Sequence, residues 1–78
     1  MTLENAIRTR ILELCHEQSI TLHALAHRCG IASSTMQNIF YRESTTPCVS
    51  TIVKICDGLG ISLADFFVND LFRNLDEN

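Results

Sequence analysis

The twenty residues from Leu22 to Tyr41, LHALAHRCGIASSTMQNIFY, constrain this chain more than any other stretch. Leu25 and Cys29 lie four apart with Ala26 beside them, the spacing that gives a helix one inward stripe. Gly30 follows at once, and glycine ends a helix in a left-handed conformation without steric cost. After Ile31 in the turn, Met36 and Ile39 repeat at helical spacing. The pattern predicts two short helices crossing at a steep angle about the glycine turn, with these apolar and small residues in contact. Such packing leaves Ser33, Ser34, Gln37, Asn38 and Tyr41 on the opposite face of the second helix. That face is polar, short-chained and amide-bearing, and Gln and Asn are the side chains that bond adenine in a bidentate way. Taken alone, a polar helix face is as easily explained by contact with water.

Further helices flank this pair. Thr2 is a fit N-cap for a first helix running to about Gln18, with Glu4 in the first turn, where the helix dipole favours an anion. Leu3, Ile7, Ile11 and Leu14 form its expected buried stripe, and Arg8 and Arg10 leave that row. Ser19 to Thr21 break the helix, and the Thr21 hydroxyl can cap the next one, starting near Leu22. Ala32 or Ser33 caps the third helix, about Ser33 to Phe40. Residues 40–47 then make a loop holding Arg42 and a Ser-Thr-Thr run. Pro47 suits the first turn of a fourth helix, whose expected buried face is Val49, Ile52, Ile55, Cys56 and Leu59 and whose end is Gly60. Ser62 with Asp65 three later resembles a capping box for a fifth helix containing Leu63, Phe66 and Phe67.

Seventy-eight residues make one domain, and 46% hydrophobic residues with 3 Gly and 1 Pro favour a helical globule. No apolar run is long enough to span a bilayer and no secretory pattern opens the chain, so a cytoplasmic location is expected. Four cysteines raise a disulfide scaffold or a zinc site, but there is no C-x-x-C pair, and Cys29 and Cys56 fall on apolar stripes. Free thiols acting as small hydrophobes are expected, with Cys15 and Cys48 nearer the surface. His23 and His27 have the i, i+4 spacing of a helical metal pair, yet nothing nearby in sequence completes a ligand set, so no metal and no cofactor are expected. The net charge is −3, and residues 65–78 hold four acidic side chains against one basic; residues 1–64 are balanced at five each. An acidic end can point away from a polyanion while a near-neutral face meets it.

TLHALAHRCGIASSTMQNI, with its Thr, Leu-Ala, Gly-hydrophobic and Ser/Thr-rich second helix, resembles the helix-turn-helix of the Cro and phage-repressor proteins, the XRE family. TPCVSTIVKICDGLGISLADFF resembles the two helices that follow it there, so the likeness covers roughly residues 3–68. It implies an all-α, five-helix, lambda repressor-like DNA-binding domain over residues 1–68, with the helix-turn-helix at helices 2 and 3. Base reading then falls to Ser33, Ser34, Gln37, Asn38 and Tyr41. Phosphate contact falls to Arg10, Thr21, Leu22 through its backbone N–H, Thr35, Arg42, Thr45 and Thr46. Arg10 matches a family arginine that approaches phosphate or pairs with a glutamate, and Phe40 stands where that glutamate would be. Leu22 stands where many relatives carry a glutamine.

Beyond the likeness, residues 69–78 form a tail in which Leu71, Phe72 and Leu75 continue an apolar stripe. They either fold back on the first helix or bury at a homodimer contact. Small repressor domains generally gain affinity by pairing across two half-sites, which favours the dimer. No Gly-rich phosphate loop, acidic pair in a cleft or Cys-His arrangement suggests an enzyme, and no small-molecule effector domain is expected. The reading is a regulator that binds double-stranded DNA and acts by occupancy of an operator. Its competitor is a protein-interaction module that keeps the fold without DNA binding, favoured by the low basic content and by Leu22.

Overall fold

The described residues of the computed structural model are 1–42 and 46–76, and among them every regular element is helical. Helix α1 spans Leu3–Glu17, α2 Leu22–Cys29, α3 Ser33–Tyr41, α4 Val49–Leu59 and α5 Leu63–Phe67, followed by a 3-10 turn at Asp70–Phe72. The expected caps are present at three of the five starts. Thr2, Thr21 and Ser62 accept from the backbone N–H of Asn5, Ala24 and Asp65 at 3.2, 3.0 and 3.0 Å. Gly30 and Gly60 end α2 and α4 in the left-handed region, at φ 69° and 73°. Helix α3 follows Ala32, which offers no side-chain cap, and α4 follows Cys48. Pro47 therefore sits one residue before the cap and not in the first turn of α4.

Ile7, Ile11, Leu14, Leu25, Ala26, Met36, Ile39, Ile52, Ile55, Cys56, Leu59 and Phe66 meet in one core, to which every helix contributes. Helix α2 packs chiefly on α4 and on α3, so the glycine-turn pair is anchored from behind by α4. Three sequence expectations fail here. Leu3 is 40% exposed and Val49 64% exposed, because each opens its helix at the edge of the globule, where the stripe runs past the core. Cys15 is buried at 4% exposure: α1 meets α2 along a row that includes position 15 as well as Leu14. Cys48 is exposed as expected, and all four thiols are free. Burial pushes the thiols of Cys15, Cys29 and Cys56 above the ordinary value.

Helix C-termini leave carbonyls that the helix itself cannot satisfy. In α4 all four have partners: Gly60 N–H donates to Asp57 and Ile61 N–H to Cys56, while Arg28 reaches Gly58 at 3.4 Å and Gln18 reaches Leu59 at 2.7 Å. In α5, Val68 and Asn69 N–H take the carbonyls of Ala64 and Phe67, and Arg10 takes Phe66 and Asp65 at 2.8 and 2.9 Å. Long side chains of α1, of its C-cap Gln18 and of α2 thus cap α4 and α5, and the cation at each of these ends, Arg28 or Arg10, complements the helix dipole. No buried side-chain nitrogen or oxygen among the described residues lacks a partner.

The tail folds back on the first helix, one of the two arrangements expected for it. The 3-10 turn lies on α1, and the Phe72 ring stacks against Phe66 and Phe67 at centroid distances of 6.1 and 4.9 Å. The Asp76 N–H donates to the Met1 carbonyl at 3.0 Å, and its carboxylate lies 2.8 Å from the terminal amine. Leu71, Phe72 and Leu75 are half-buried within this one chain.

Candidate nucleic-acid interface

The burial of Met36 and Ile39 fixes how α3 is rolled, and the roll decides what it displays. Ser33, Ser34, Thr35, Gln37, Asn38 and Tyr41 are all exposed, Tyr41 at 81%. The five residues expected to read bases therefore share one solvent-facing side of a helix of nine residues. Thr21 lies at the start of α2, where it accepts from the Ala24 N–H and its carbonyl takes the Leu25 N–H at 2.9 Å. The amides of Leu22 and His23 are thereby the ones that helix geometry directs outward. Leu22 and His23 line a cleft of about 160 Å³ with Ala26, Ser33, Gln37 and Tyr41, so the start of α2 and the polar side of α3 form one continuous surface. That Leu22 is half-buried explains how an apolar residue is accommodated there: its side chain packs against the core while its backbone remains at the helix end.

Arg42 follows α3 as its C-cap and is exposed. Two residues expected to contact phosphate, Arg10 and Thr46, are engaged in bonds within the chain. The Arg10 guanidinium is occupied by the α5 carbonyls and lies 3.8 Å from Glu13, with only 12% of its side chain exposed. The Thr46 hydroxyl donates to Glu4 at 2.7 Å, beside a carboxylate that would repel a phosphate. This bond first, then a backbone hydrogen bond at Glu4, holds the Glu4 carboxyl below the ordinary carboxylate value. Thr45 lies outside the described residues. His23 and His27 are both exposed on α2, and no group of three or more His, Cys, Asp or Glu among the described residues could hold a metal ion.

Reasoning from the sequence missed Arg8. Its Nη2 donates to the Arg42 carbonyl at 2.9 Å, its Nε to the Ile39 carbonyl and its Nη1 to Asn5 Oδ1 at 2.7 Å. No local signal marks that role, since its partners on α3 lie 31 and 34 residues away. Cys48 was seen only as an exposed thiol. The hydroxyls of Ser50 and then Thr51, at 3.1 and 3.3 Å, lower its pKa to about 7.

Two helices packed about a left-handed glycine, the second presenting a polar face, define a helix-turn-helix module. The family model of the Cro/C1-type HTH DNA-binding domain matches residues 10–69, and the chain belongs to that family. The crystal structure of the prophage Lp1 protein 11 is similar over 100% of both chains, with a TM-score of 0.83 and 32% identity. No curated protein sequence matches the chain. The likeness to the prophage protein extends beyond the family match, through the folded-back tail.

Proposed function

We propose that this protein is a sequence-specific regulator that acts by occupying a DNA operator, with α3 in the major groove. The observation that carries the reading is the roll of α3: buried Met36 and Ile39 leave Ser33, Ser34, Gln37, Asn38 and Tyr41 outward as one polar surface. Gln37 and Asn38 suit adenine edges, and Ser33 and Ser34 suit either bases or phosphate. Thr21, the backbone amide of Leu22, Thr35 and Arg42 supply the phosphate contacts. Arg10 and Thr46 leave the set, being used inside the molecule.

Two copies on adjacent half-sites would supply the affinity that one small module lacks. In such a pair the half-exposed Leu71 and Leu75 offer apolar surface, whereas Phe72 is already engaged by two rings. Selection from random DNA, followed by binding measurements across a salt series, tests the reading. With few cations on this side, the log–log salt slope should be about two to four per copy. Gln37→Ala should lose about 1–3 kcal/mol at the selected site and relax its sequence preference. Arg42→Ala should weaken selected and scrambled DNA alike and lower the slope by about one. If selection yields no preferred site, the protein-interaction reading replaces this one.

A further inference from the structure

Helix α1 contributes nothing to the polar face of α3, yet its first turns hold the chain on both sides of residues 43–45. Arg8 grips the end of α3 through the carbonyls of Ile39 and Arg42, and Glu4 takes the Thr46 hydroxyl at 2.7 Å. Asn5 orients the grip by accepting from Arg8 Nη1 at 2.7 Å. Helix α3 needs outside support: nine residues are too few to be stable alone, its start has no side-chain cap, and its last turn carries no basic residue. A guanidinium suits the task because its donors form a rigid planar fork, and a cation at a helix C-terminus opposes the dipole.

We propose that Arg8, oriented by Asn5, is a positioning residue for DNA reading. It fixes the last turn of α3 and the backbone from which Arg42 projects, and so sets where Arg42 meets the DNA backbone while α3 lies in the groove. The proposal rests on the DNA-reading assignment above. A reading side chain must be held to about half an ångström to be effective, so release of the α3 end is felt at the bases even though Arg8 touches none of them.

The test combines DNA binding with a readout that needs no DNA. Arg8→Ala should bind the selected site roughly tenfold more weakly, within the coupling range of residues that share a hydrogen-bond network. Arg8→Lys, with a single point charge in place of the fork, should recover part of the loss. Asn5→Ala keeps the charge and removes its orienting acceptor, so it should show a smaller loss of the same kind, even if Arg8→Ala folds poorly. In a double-mutant cycle the penalty of Arg42→Ala should shrink in the Arg8→Ala background. Without DNA, amide hydrogen exchange at Arg42, whose N–H bonds the Asn38 carbonyl at 3.2 Å, should accelerate while exchange in α4 is unchanged. Additive penalties, or unchanged exchange at Arg42, would overturn the positioning role. Accelerated exchange in a protein that binds no DNA would support the grip on α3 and reject only the assignment of the surface.

Discussion

Gly58 records how closely α2 and α4 approach. A Cβ at this position would fall well inside the van der Waals contact distance of Cys29 Sγ, which already lies 3.8 Å from the Ile55 carbonyl. Alanine in the last turn of α4 would otherwise be favoured over glycine by up to about 1 kcal/mol, so the sign of Gly58→Ala depends on whether Cys29 can yield. The sulfur is wedged between two helices, and overpacking should win. Gly58→Ala is expected to destabilise by about 1–3 kcal/mol, and adding Cys29→Ala should return most of that loss, as read by urea unfolding. A more stable single variant would mean that the α2–α4 contact is looser than described. Cys48 makes a second residue-scale prediction. Its exposed thiol has a pKa lowered to about 7, so its thiolate forms as pH rises through that value. In the native protein iodoacetamide should label this cysteine first, with a rate that climbs through about pH 7. Labelling of Cys15 or Cys56 should await unfolding, since both are buried.

Among the elements, the tail packs against the core through a partly buried Phe72. Phe72 closes an aromatic cluster with Phe66 and Phe67 and lies on α1, so Phe72→Ala should cost about 2 kcal/mol, somewhat below the value for a fully buried ring. Thermal unfolding at several protein concentrations checks this. A loss that disappears on dilution would instead assign Phe72 to a contact between copies. Helix boundaries were the most legible feature of the sequence, because Thr2, Thr21, Ser62, Gly30 and Gly60 act on backbone groups within a few residues of themselves. The roll of α3 was legible for the same reason: Met36 and Ile39 carry their own periodicity. What local spacing could not show was the end of each stripe, hence exposed Leu3 and Val49 and buried Cys15. Nor could it show the targets of long side chains. Arg8, Arg10 and Gln18 each reach a carbonyl between 31 and 56 residues away, and only the packed arrangement of helices decides which end each one meets.

For the whole molecule, the net charge of −3 is reconciled with DNA by where cations and anions are placed. Arg8, Arg10 and Arg28 bond helix-end carbonyls and Arg73 lies 3.6 Å from Asp70, so much of the basic content serves the fold. On the proposed reading, affinity draws on backbone amides, hydroxyls and amide side chains at the surface shared by α2 and α3, with Arg42 at its edge. The 3-10 turn of the tail lies on α1, and on the proposed reading the tail stays clear of the nucleic acid. Chemical-shift mapping of the labelled protein, titrated with its selected duplex, tests that division most directly. The backbone amides of Thr21 to Ala24 and of Ser33 to Arg42, with the side-chain amides of Gln37 and Asn38, should show the largest changes, while Val68 to Asn74 should scarcely move. Largest changes along the tail, with α3 unaffected, would contradict the assignment of α3 as the reading helix.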